Sequence, residues 1–136
     1  MAIHVSKPDT GSETAAILDA EALDVLAAEL QADAAPGLLA NLVETFARDA
    51  RSRSARMAEA AAAADLAILE HEAHTLGSSA ATFGAMALHR LARDIEAACL
   101  APDPSRAAML TDGVMAAAEA AIGALEEYLT QQRMQT

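Results

Sequence analysis

The chain has 136 residues and a formal net charge of -11, and its residues are 54% hydrophobic but only 2% aromatic. That length points to one domain, with a core that needs neither disulfide nor metal. A surface so acidic, with few rings to stack on bases, excludes nucleic acid as a natural partner and disfavours anionic membranes.

Alanine and leucine dominate the apolar residues, and both favour helix, while the β-branched and aromatic residues that favour strands are scarce. The expected class is all-α. Residues 1–16 are polar and punctuated by Gly and Pro, which reads as a flexible leader ahead of a domain at 17–132. Asp19 can cap a short helix from Ala20 to about Gln31, with Glu21 in its first turn. Pro36 suits the opening turn of a second helix that runs to about Ala64 and carries Leu39, Val43, Phe46, Ala50 and Met57 near helical spacing. Asp65 can cap a third helix reaching about Phe83. Its stripe is Leu66, Leu69, Ala73, Leu76, Ala80 and Phe83, and Gly84 supplies the left-handed stop. A fourth helix carries Leu88, Leu91, Ile95 and Ala98. Asp103 and Pro104 open a last one with Leu110, Val114, Ala118, Ala121, Leu125 and Leu129. One apolar face per helix and short connections predict an antiparallel four-helix bundle with an additional short N-terminal helix.

No uninterrupted apolar run reaches the roughly 18 residues of a membrane span. The opening Met1–Thr14 has no basic-then-apolar signal pattern. The single cysteine, Cys99, lies beside an apolar stripe and reads as a small core residue. These features fit a cytoplasmic protein, and nothing in them demands more than a monomer.

The chemistry concentrates in the third helix, in His71-Glu-Ala-His74-Thr-Leu-Gly77-Ser78-Ser79-Ala80-Ala81-Thr82-Phe83-Gly84. His74 follows Ala73 by about 100° around the helix axis and so leans out of the buried stripe. Gly77, Ser78 and Ala81 follow it along the helix, and all are small. A helical glycine costs roughly 1 kcal/mol against alanine. In a chain this rich in alanine, Gly77 asks for a reason, and close approach by another protein to His74 would be one. An exposed imidazole, with an ordinary pKa near ~6.5, is a competent nucleophile at cellular pH. An ordinary surface histidine with small neighbours is the bland alternative.

This stretch resembles the signature of the histidine-containing phosphotransfer (HPt) family, H-x-x-K-G-x-x-x-x-x-G, often seen as A-H-x-L-K-G-S-S-A-x-x-G-A. Ala73, His74, Leu76, Ser79, Ala81, Gly84 and Ala85 match without a gap. The similarity extends over roughly 17–131, through Ile17–Leu23, Leu38–Asp49 with Phe46, and Leu88, Leu91 and Ile95-Glu96. The resemblance implies a four-helix bundle with His74 as phosphoacceptor. It also implies a carrier without ATP binding or autokinase activity that relays phosphoryl groups between receiver-domain aspartates. The implied partners are response-regulator receiver domains and a hybrid sensor histidine kinase. This chain would bind no cofactor of its own, and Mg²⁺ would sit in the receiver.

Two positions depart from the family pattern. Gly77 stands where a lysine is usual, and Ser78 where a glycine is usual. The one lysine of the chain, Lys7, is in the leader. Arg48 and Arg51 on the second helix, and Arg90 and Arg93 on the fourth, are the candidates to replace its charge, as is a basic residue of the partner. A degenerate bundle that binds a receiver or kinase without phosphotransfer is the alternative function. Arg48, Arg51, Arg53 and Arg56 otherwise read as a solvated face paired with carboxylates. His71 and His74 are three apart, one short of the H-E-x-x-H spacing, and no third ligand completes a metal site. His71 then borders the docking face or is solvated. No phosphate-binding glycine loop and no G-x-S-x-G elbow is present.

Overall fold

A computed structural model describes residues 17–33 and 37–134. The expected leader at 1–16 and the helix-opening role of Pro36 lie outside these residues. The elements are α1 (Ala20–Asp33), α2 (Leu38–Ala62), α3 (Leu66–Thr82), α4 (Met86–Leu100), α5 (Pro104–Thr111) and α6 (Val114–Met134). No strand occurs among the described residues.

The helices start where the caps stand. Asp19, Asp65 and Asp103 each accept a hydrogen bond from a backbone N–H three residues on, those of Ala22, Ile68 and Arg106. Two helix ends use the same device. After α3, the Ala85 N–H bonds the Ala80 carbonyl at 2.8 Å and the Gly84 N–H bonds that of Ala81 at 3.0 Å. After α2, Asp65 bonds Ala60 at 2.8 Å and Ala64 bonds Ala61 at 3.1 Å. Both are Schellman motifs, with the left-handed position at Gly84 (φ 70°) and Ala64 (φ 54°). The second motif lacks glycine, so the sequence carried no stop signal there, and α2 ends two residues before the expected Ala64.

The last helix differs from expectation. It divides at Asp112-Gly113 into α5 and α6. Thr111 Oγ1 donates back to the Ala107 carbonyl at 2.7 Å, and the Gly113 N–H turns tightly onto Leu110 at 3.1 Å. A back-bonding threonine followed by glycine bends a helix. Within Pro104–Met134, an 18-residue window has a mean hydropathy of 1.3, enough to cross a membrane by length and composition alone. The window contains Asp112 and Glu119, so it is not an uninterrupted apolar run of the kind the sequence lacks. Short alanine runs raise the average without forming one long apolar stretch, and Val114, Ala118, Ala121, Ile122 and Leu125 are buried in the bundle.

α2, α3, α4 and the α5–α6 pair form the bundle, each packed on its sequence neighbour, with α6 returning to α2. The core is the set of stripes read from spacing: Val43, Phe46, Ala50 and Met57; Leu69, Ala73, Leu76 and Ala80; Leu88, Ile95 and Ala98; Val114 to Leu125. Cys99 is buried with them, and burial pushes its thiol pKa up. The chain's two phenylalanines, Phe46 and Phe83, meet at 5.0 Å between ring centroids and join α2 to the end of α3. α1 is tied on at two points. Its Asp19 N–H donates to the Gly84 carbonyl at 2.6 Å, and Tyr128 of α6 donates to Asp24 at 2.6 Å. Burial and that bond to a carboxylate push the Tyr128 phenol up to about 12.

The two Schellman turns give opposite predictions. Ala64→Gly relieves a left-handed alanine and raises stability by about 0.5–1 kcal/mol. Gly84→Ala does the reverse and more, because its Cβ would lie 2.8 Å from the Asp19 carbonyl oxygen. Urea unfolding of the two variants measures both.

Candidate functional site

His74 stands at mid-length on α3, on the side facing α4, and its side chain is 59% exposed. Its Nδ1 lies 2.9 Å from Glu96 Oε2 on α4. Burial acts to raise the Glu96 pKa, but hydrogen bonds from His74 and Arg93 outweigh it and hold the group below its ordinary 4.5. Glu96 is therefore ionised at neutral pH, and an ionised carboxylate only accepts. Nδ1 must carry the hydrogen, so in the neutral ring the lone pair belongs to Nε2. A half-exposed imidazole with a fixed tautomer is a nitrogen nucleophile of defined identity.

Arg93 completes the cluster. Its Nη1 donates to Glu96 Oε1 at 2.9 Å and to the His74 carbonyl at 3.3 Å, and its Nη2 donates to Ser78 Oγ at 3.2 Å. The guanidinium thereby crosses Gly77. A Cβ at Gly77 would lie 3.0 Å from Arg93 Nη1 and 3.2 Å from both Arg93 Cζ and Ala92 Cβ. His89, also from α4, donates Nδ1–H to the Gly77 carbonyl at 2.9 Å. The close approach at Gly77 therefore comes from α4 of the same chain rather than from the docking protein expected, and Gly77 is buried beneath that helix.

The other sequence candidates are distributed around this cluster. His71 lies one turn before His74, and Ala81 one turn beyond Ser78; both are exposed on α3. Arg90 is exposed on α4, one turn before Arg93. Arg48 and Arg51 engage other groups. Arg48 pairs with Glu44 at 3.6 Å, and Arg51 makes two bonds to Glu119 of α6 at 2.7 and 2.9 Å. Both line a groove between α2 and α6. Arg53 and Arg56 converge from α2 on Glu72, which is only 8% exposed. The basic run of α2 therefore reads as a face paired with carboxylates.

From sequence, His89 reads as a surface or edge residue, and neither Glu96 nor Glu72 carries a site role. Glu96 sits three residues after Arg93, a spacing that places both on one helix face. Its pairing with His74 depends on the α3–α4 register, which spacing within one helix does not reveal. Among the described residues, no group of three His, Cys, Asp or Glu side chains could hold a metal ion.

The family model of the Hpt domain matches residues 41–135, and the chain belongs to that family. Its members are phosphocarriers of histidine phosphorelays that interact with receiver domains and have no catalytic activity of their own. No curated protein and no solved structure matches the chain significantly.

Glu72 yields a stability prediction. Burial raises its pKa, yet the bonds from Arg56 and Arg53 bring the net value below the ordinary 4.5. A carboxyl depressed in the folded state stabilises above its unfolded value, and that contribution fades as pH falls through the folded one. Glu72→Gln should cost about 1–3 kcal/mol at neutral pH. The deficit should shrink below pH 4.5 in urea titrations run across pH.

Proposed function

We propose that this chain relays a phosphoryl group on His74 between a hybrid sensor kinase and a response regulator in the cytoplasm, acting as a monomer. The observation that carries this reading is the Nδ1–Glu96 hydrogen bond on a half-exposed imidazole, which leaves Nε2 as the attacking atom.

The step balances without a proton leaving the site. The Nε2 lone pair forms a bond to phosphorus as the bond from phosphorus to the receiver's aspartyl oxygen breaks, and that oxygen keeps the electron pair as carboxylate. The ring becomes a phosphoimidazolium that retains its Nδ1 hydrogen, and the Glu96 carboxylate faces the new positive charge. Return transfer reverses each change. Such transfers depend on positioning and charge stabilisation more than on covalent help from the protein. Mg²⁺ and the aspartate belong to the receiver, and this chain contributes nucleophile and surface. His71, Ser78, Ala81 and Arg90 are placed to border the docked partner.

The test is transfer from a panel of receiver domains phosphorylated with acetyl phosphate in the presence of Mg²⁺. The expected product is an acid-labile, alkali-stable phosphoryl group on His74, absent in His74→Gln. Glu96→Gln should slow transfer by roughly tenfold or more, since it removes the charge facing the imidazolium. Receiver binding that persists in His74→Gln, with no phosphoryl on the wild-type chain, would favour the degenerate binding module instead.

A further inference from the structure

Phosphorylation places an anionic phosphoryl group with three strong acceptor oxygens on His74. The ring already faces the Glu96 carboxylate, in a chain of net charge -11. A cation at this point would lower the barrier in both directions, and α3 offers none, because its segment from His71 to Thr82 holds no lysine or arginine.

We infer that Arg93 supplies that cation from α4, and that Gly77 is glycine so that the guanidinium can lie across α3 beside His74. This rests on His74 being the carrier. The space is tight. A side chain at position 77 would begin 3.0 Å from Arg93 Nη1 and 3.2 Å from Ala92 Cβ, so a cation arriving from α3 would have to push the guanidinium aside. The guanidinium is also divided in a useful way. Nη1 is committed to Glu96 and the His74 carbonyl, which anchors the group. Among the described residues, Nη2 bonds the neutral hydroxyl of exposed Ser78. A phosphoryl oxygen is a stronger acceptor than a hydroxyl. Nη2 therefore exchanges Ser78 for the phosphoryl group while Nη1 keeps its anchor. Arg93 is a phosphate-supporting residue, and Gly77 a positioning residue that acts through it.

The experiment compares wild type, Arg93→Ala, Gly77→Lys and the double variant in transfer from acetyl phosphate-loaded receiver domains, with folding checked by thermal melting. Arg93→Ala should lower the transfer rate at least about tenfold, as expected for loss of one charge-stabilising donor. Gly77→Lys alone should also be slow, through crowding and like-charge repulsion against Arg93. The double variant should recover most of the wild-type rate, because a lysine then fills the space the arginine left. A purely structural role predicts no such recovery. Arg93→Gln, which keeps hydrogen bonding without charge, should resemble Arg93→Ala and serves if the alanine variant unfolds. An Arg93→Ala or Arg93→Gln rate equal to wild type, or a double variant no faster than Arg93→Ala, overturns the inference while leaving His74 as carrier. Wild type inert toward every receiver overturns the carrier reading and this inference with it.

Discussion

The packing of α3 on α4 through small side chains is the constraint from which the site follows. Ala73, Gly77 and Ala80 on α3, and Ala92 on α4, are all buried. Interaxial distance follows the size of the side chains at the contact. Where Gly77 meets Ala92, a Cβ on the glycine would lie 3.2 Å from that of the alanine, so the helices come close enough there for long side chains of α4 to reach across α3. Arg93, Glu96 and His89 all do so, and each bonds either His74 or the backbone within a turn of it. Larger residues at these positions would separate the helices and leave His74 without its carboxylate.

Charge is distributed in the same spirit on both sides of α3. On the α2 side, two arginines enclose one buried carboxylate, Glu72. On the α4 side, one arginine and one histidine share one carboxylate, Glu96. The first cluster, in which Arg53 also pairs with Asp49 at 2.9 Å, joins helices through groups of fixed charge. The second contains a half-exposed imidazole whose Nδ1 the carboxylate engages. Its geometry therefore suits chemistry, while that of the first suits cohesion.

Much of the frame was legible in the sequence because it is local. A cap such as Asp65, a stripe such as Leu69-Ala73-Leu76-Ala80 and a stop such as Gly84 are settled within a turn or two of chain. The features that escaped depend on less local or less conspicuous signals. The end of α2 at Ala62 uses a left-handed alanine where glycine was the recognisable sign. The break at Asp112-Gly113 arises from a threonine back-bond whose energy is small beside the apolar periodicity running through it. In the site, His74 and Gly77 announced themselves by exposure and by an unexpected glycine. Glu96 and the choice of Arg93 over Arg48 or Arg51 required the register between two helices, which neither helix encodes alone.

The ties of α1 bear on where the folding unit begins. The family match starts at residue 41, beyond α1. Yet Asp19 is bonded to Gly84, the motif's own last glycine, and Asp24 to Tyr128 near the far end of the bundle. Leu18 and Leu23 are buried in the common core. The segment matched by the family model is thus shorter than the segment that shares its cohesion. A boundary drawn at the edge of homology would cut through one cooperative body and uncover the turn on which the motif helix ends.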